Sequence, residues 1–154
     1  MDYLEELEAI QTWIKAAANL NSYRLKEAKP KVPRPVILWE NPSRQPPRNL
    51  SQYQYVVNVR QYGRLFVSSL DESLSAQETL TKDLANKYGV LPIKVDGVQV
   101  GLLKEAQIEF TNSESLDVPF SVSYEVTYGR TRPVVPPPAT VVTTRYKIDF
   151  DDTN

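Results

Sequence analysis

The sequence predicts an α+β fold: a mostly antiparallel β-sheet with two helices packed on one face, plus a C-terminal strand-like extension after a Pro-rich spacer. Three observations carry this. Residues 3–20 and 70–88 repeat apolar side chains at helical spacing. Residues 118–128 alternate strictly, with Val118, Phe120, Val122, Tyr124, Val126 and Tyr128 on one face and Pro119, Ser121, Ser123, Glu125 and Thr127 on the other. Asp96-Gly97 sits between two β-rich runs, a strong signal for a tight hairpin. Strands therefore follow strands, as antiparallel sheets require, instead of alternating with helices.

The elements follow in order. In residues 3–20, Leu4, Leu7, Ile10, Ile14 and Ala17 share one helical face. Asp2, Glu5, Glu6 and Glu8 lie in the first turns, where the helix dipole favours negative charge. Asn19 and Asn21 suit the C-terminal stop. Trp13 lies beside the stripe and is expected in the core or as an anchor between elements. Residues 22–29 read as a strand with Tyr23 and Leu25 on one face, broken by Pro30, Pro33 and Pro35. Residues 36–39 are a short β-rich run. Residues 41–49 hold Pro42, Pro46 and Pro47 and read as the extended tip of a hairpin. Residues 52–66 form a long strand with Tyr53, Tyr55, Val57, Val59 and Gln61 facing one way.

In residues 70–88, Ser75 with Glu78 fits a capping box, with Asp71 as an alternative cap one turn earlier. Leu74, Leu80, Leu84 and Tyr88 form the expected buried stripe, and Gly89 suits the position after the helix. Residues 93–95 and 98–102 flank the hairpin turn, residues 103–110 continue as strand, and residues 111–115 make a polar turn before the strand at 118–128. The domain is thus expected over residues 1–129. Residues 130–138, ending in Pro136-Pro137-Pro138, lack ladder donors and favour a stiff extended spacer at about 3.1 Å per residue. Residues 139–154 form a C-terminal arm in which Val142, Tyr146, Ile148 and Phe150 share a face, with Thr144 between. The arm either adds to a sheet edge of a neighbouring copy or returns as an ordinary strand of its own sheet.

Composition narrows the chemistry. A chain of 154 residues suits one domain with a core of its own. No run approaches the roughly 18 apolar residues of a membrane span, and the acidic, amphipathic start is unlike a signal peptide. The expectation is a soluble protein, made and used without export and without membrane contact. Cysteine and histidine are both absent. Disulfides and thiolate sites are excluded, and the commonest general base and metal ligand is missing. The five glycines, Gly63, Gly89, Gly97, Gly101 and Gly129, have no phosphate-cradle spacing. Asp96, Glu105 and Glu109 are the best candidates for a metal-dependent nuclease. On a regular strand the two glutamates stand about 13 Å apart, too far to share an ion. No catalytic residue, metal or cofactor is therefore expected.

Charge is uneven. Residues 21–64 hold nine basic and two acidic residues, whereas residues 65–128 hold four basic and ten acidic. This makes either two oppositely charged surfaces or a sheet in which the segments interleave and the field averages out. Lys29, Lys31, Arg34, Arg44, Arg48, Arg60 and Arg64 interleave with Tyr23, Trp39, Tyr53, Tyr55 and Tyr62, a pattern compatible with a nucleic-acid platform. The sequence pI of 5.6 argues against a dedicated binder of that kind.

Leu7-Glu8-Ala9-Ile10-Gln11-Thr12-Trp13-Ile14-Lys15 in the first helix, Pro33-Arg34-Pro35, and a long strand ending Val59-Arg60-Gln61-Tyr62-Gly63, followed by a helix and antiparallel strands, resemble the tail terminator proteins of tailed bacteriophages, also called tail completion or head–tail joining proteins. The layout is matched over residues 4–128; the extension beyond Tyr128 is not. The resemblance implies a structural virion protein of the tail or neck, assembled in the host cytoplasm. It implies a homo-oligomeric ring, a hexamer in that family, which caps the tail tube, stops its polymerisation and meets the head–tail connector. The sheath is a further neighbour in contractile tails, and DNA passes the lumen without sequence recognition. Another neck or connector protein is the alternative within the same assembly. The residues expected at subunit contacts are Tyr53, Tyr55, Val142, Tyr146, Ile148 and Phe150, with Arg44 and Arg48 as loop residues meeting a neighbour.

Overall fold

The computed structural model describes residues 2–25, 33–112 and 114–130. Helix α1 spans Tyr3–Ala18 and is closed at its start by a reciprocal capping box. Asp2 Oδ1 accepts from the Glu5 amide at 3.0 Å, and Glu5 Oε2 accepts from the Asp2 amide at 2.8 Å. Asn19 ends the helix in the left-handed conformation, which asparagine tolerates. The second helix, α2, spans Leu70–Asn86.

Among the described residues eight strands form one sheet: β1 (Asn21–Arg24), β2 (Val36–Trp39), β3 (Ser43–Arg44), β4 (Arg48–Asn49), β5 (Gln54–Phe66), β6 (Leu91–Val95), β7 (Val98–Phe110) and β8 (Asp117–Gly129). Their order is β1-β2-β5-β8-β7-β6, with β3 and β4 also pairing to β5. Only β1 and β2 run parallel. The rest is antiparallel, as the α+β reading expects.

The strands β5 and β8 form the centre, paired from Gln54 with Gly129 to Phe66 with Asp117. Pro119 sits inside β8 without breaking it. Its carbonyl accepts from the Thr111 amide at 2.9 Å. Its nitrogen therefore faces the same side, just past Phe110 where β7 ends, and the missing donor falls at the end of a ladder. Alternate residues of β5 and β8 face the two helices. Val57, Val59, Leu65, Val118, Phe120, Val122, Tyr124 and Val126 are buried there with Leu7, Ile10, Trp13 and Ile14 of α1 and Leu80 and Leu84 of α2. Trp39 meets Phe120 edge to face at 5.3 Å. Gly63 leaves room for both rings, since a Cβ there would lie 2.9 Å from each. Trp13 proves to be an anchor between the helices, its indole N–H donating to Asp83 at 2.6 Å.

Four local expectations are corrected. The first strand ends at Arg24, before the expected Leu25, which is 58% exposed; residues 26–29 of that expectation lie outside the described residues. Residues 41–49 are not a projecting tip. They lie along β5, with Ser43 opposite Arg60 and Arg48 opposite Val56. Pro42, Pro46 and Pro47 fall outside the two short strands, where no ladder donor is needed. Ser69, rather than Ser75 or Asp71, caps α2, accepting from the Glu72 amide at 3.2 Å. The buried face runs through Ser73, Leu80 and Leu84, and Leu74, six residues before Leu80 and so about 120° around the helix from it, is 63% exposed. Tyr88 lies past the helix end with φ 55° and is 91% exposed.

The hairpin at Asp96-Gly97 forms as expected, with φ of 52° and 78°. A bulge follows in β7. Between Lys104 and Gln107 the strand carries one residue more than β8 opposite it. Glu105 takes φ 52° there, and the Ala106 amide donates away from β8, to the Gly89 carbonyl at 2.9 Å. The bulge replaces the regular spacing assumed between Glu105 and Glu109.

Candidate subunit interface

Among the described residues the helix-covered face carries one buried charge. Glu6 of α1 is fully buried, and an isolated carboxylate there would be strongly unfavourable. Three donors converge on it. Arg44 donates from Nη1 at 3.0 Å and the Tyr124 hydroxyl donates at 2.9 Å. The Tyr128 hydroxyl donates to the other oxygen. Arg44 also donates from Nη2 to the Tyr128 hydroxyl at 3.0 Å. Burial and the neighbouring Glu6 charge raise the pKa of Tyr124. Burial and the bond to Glu6 push that of Tyr128 up to about 12. Burial opposes the Arg44 charge, but the bonds to Glu6 and Tyr128 prevail and its pKa is raised. Both phenols stay protonated donors and the guanidinium stays charged. The cluster is a clamp joining α1, residues 41–49 and the end of β8.

The clamp continues to the point where the chain leaves the sheet. Tyr128 stacks on Tyr55 at 5.5 Å, and the Arg130 guanidinium lies over Tyr55 at 5.3 Å. Arg130 donates to the Ser51 carbonyl at 3.2 Å and to the Asn49 side chain, and its amide donates to the Tyr53 carbonyl at 2.7 Å.

The opposite face of the sheet is polar and mixed in charge. Arg64 bridges Glu40 at 2.7 Å and Asp117 at 2.9 Å. Arg48 lies 3.8 Å from Glu125, and Arg60 donates to Ser123 at 3.2 Å. The basic segment is thus interleaved with acids from other strands, so the averaged-field alternative describes these residues. Asp96 is in the hairpin turn, Glu105 in the bulge and Glu109 further along β7. Among the described residues no three acidic side chains converge as a metal-binding group.

Among the described residues the flank beyond β8 is incompletely paired. Strand β6 pairs with β7 only from Val98 to Leu103. Beyond the bulge, residues 107–110 pair with β8 on one side alone. The Thr111–Pro119 bond sets the alternation, so Ile108 and Phe110 direct their backbone groups away from β8. Neither makes a further backbone bond among the described residues. Thr81, Ala85 and Tyr88 line a groove beside Gln107 and Ile108.

The expected contact residues divide. Tyr55 and Arg44 are drawn into the subunit's own clamp. Tyr53 is 42% exposed, and the Arg48 side chain is 64% exposed. Val142, Tyr146, Ile148 and Phe150 lie outside the described residues, as do residues 131–138 of the spacer. Sequence reading missed Glu6 as a buried residue. Its spacing of four from Ile10 and seven from Trp13 put it on the apolar face. Arg130 was read as spacer and carried no signal. Compared with protein-family models the chain has no match, and compared with curated proteins it has none.

Proposed function

We propose that this chain is a ring-forming structural subunit of the tail terminator kind, closing a tail tube and meeting the head–tail connector. The observation that carries the reading is the incompletely paired flank. With residues 36–49 laid along β5, the ladder groups of Ile108 and Phe110 have no backbone partner among the described residues, and an exposed edge of that kind is a template for another chain. The lack of histidine and cysteine and the locked phenols around Glu6 support a role by contact over one by catalysis. The order helix, short strand, long strand, helix, hairpin, long strand agrees with the layout that the resemblance implies. The interleaved ion pairs of the outer face weigh against a dedicated nucleic-acid platform.

The test is the mass of the purified full chain by light scattering, together with the length of tail tubes assembled with and without it. A ring-sized particle that limits tube length is expected. A monomer at every concentration that leaves tube length unchanged rejects the reading.

A further inference from the structure

We propose that residues 139–150 of one copy add as a strand to residues 107–110 of β7 in a second copy. The inference rests on the ring-subunit reading above and names the two surfaces that would meet.

The acceptor is defined by its backbone and by its two faces. Ile108 and Phe110 each present an N–H and a C=O outward, with no further backbone partner among the described residues. Their side chains are half-buried and pack on the core, and the α2 groove extends that apolar side past the edge. On the other side, Glu105, Gln107 and Glu109 are exposed. An incoming strand needs apolar side chains toward the core and basic ones toward the two glutamates.

The sequence of residues 139–150 has that alternation. Val142, Thr144, Tyr146, Ile148 and Phe150 form one set, and Thr143, Arg145, Lys147 and Asp149 fall between them. With the apolar set over Ile108 and Phe110, Arg145 and Lys147 come to the glutamate side. Opposite charges across neighbouring strands favour this register, and the reversed register sets Arg145 and Lys147 against the core.

Geometry favours a second copy over a return to the same sheet. The chain leaves β8 at Arg130, tied to Asn49, Ser51 and Tyr53 on the side of β8 away from β7. To reach its own β7 edge it must cross the β6–β7 hairpin, which occupies the outer side of β7 from Val98 to Leu103. Connections rarely cross in that way. The spacer 131–138 is Pro-rich and reaches about 25 Å when extended, enough to cross to a neighbour and poorly suited to a reversal.

The chain has no cysteine of its own, so engineered pairs report contact directly. Full-length Glu109→Cys is mixed with full-length Arg145→Cys, Lys147→Cys or Asp149→Cys and oxidised gently. Lys15→Cys on α1 is the control acceptor. A disulfide forms only when the Cα atoms come within about 7 Å, so linked dimers should exceed the control by at least about tenfold at one or two tail positions. In the unsubstituted chain, the Ile108 and Phe110 amides should exchange slowly with solvent in the assembled state. Removing residues 139–154 should make them fast. Linkage no better than the control, or linkage only within one doubly substituted chain at high dilution, overturns the proposal. If a ring-sized mass persists while these amides stay fast, edge addition is wrong and the ring reading stands. A monomeric chain that leaves tube length unchanged removes both.

Discussion

The central β5–β8 pair has two flanks, and they are finished in different ways. Along β5, residues 36–49 follow the strand almost from end to end, through β2, β3 and β4. Arg44 then ties that segment to Glu6 beneath the sheet. Along β8, strand β7 is itself the outer strand once β6 has ended, and the bulge at Glu105 marks the change. Bulges and outward charges are common ways of guarding an edge against indiscriminate pairing. Here residues 107–110 are bordered by the exposed Glu105 and carry the exposed Glu109 among them. The contrast teaches that the two neighbours of one central pair are covered to different extents: β5 is followed almost throughout, whereas β7 is left uncovered past the bulge among the described residues.

Breaking the sealed flank should have the largest effect. Arg44→Met leaves Glu6 buried without its cation and should cost about 3 kcal/mol in urea unfolding, at the low end of the range for such losses because Arg44 remains partly exposed. Arg48→Met leaves the same segment but removes an exposed partner, and should change stability by no more than about 0.5 kcal/mol. Equal losses from the two would mean that the clamp does not seal the flank. The open flank is next. Gly89 has φ 67°, and a Cβ there would lie 2.9 Å from the Ala106 carbonyl oxygen. Gly89→Ala should therefore cost about 2 kcal/mol in the same assay and loosen exchange at the Ala106 amide.

Smaller effects belong to the helix layer, which serves both flanks and acts as an internal reference. Ser69→Ala removes the cap of α2 and should lower stability by about 1 kcal/mol. Ser75→Ala, inside the helix, should shift it by no more than about 0.5 kcal/mol. A larger effect at Ser75 would restore the later helix start. The smallest change is with pH. Hydrogen bonds from Lys87 and then Trp13 hold the Asp83 carboxyl below its ordinary value of 3.8. Its folded pKa is depressed, so its contribution is present above 3.8 and lost as pH falls through the folded value. The difference in Tm between the unsubstituted chain and Asp83→Asn should shrink on acidification through that window. A constant difference would remove Asp83 from the account.

Legibility followed periodicity. The alternation at 118–128 and the Asp96-Gly97 turn are local signals that packing preserved, and both elements formed where they were expected. The second helix was recognised, but Ser69 and Ser75 offer similar local chemistry, and only the contact of Leu80 and Leu84 with the core settles the rotation. Residues 41–49 looked like a loop because prolines dominate their composition, while their pairing to β5 depends on residues far away in sequence. Glu6 was the largest miss. Its burial follows from Arg44, Tyr124 and Tyr128, contributed by two other segments of the chain. The β7 bulge depends on the Gly89 carbonyl and had no sequence signature of its own.

The anchoring of Arg130 has a consequence for symmetry. Because the chain departs from one fixed point beside Asn49 and Ser51, every copy in an assembly would launch its extension from an equivalent position and heading. A donor at one end and a different acceptor at the other make a head-to-tail contact, which closes on itself or grows without limit according to the turn between successive copies. Once all but one junction has formed, the last becomes intramolecular, and its effective concentration is set by how well the reach of the tether matches the gap. A shared departure point beside Asn49 and Ser51 would therefore give every such junction the same gap to span.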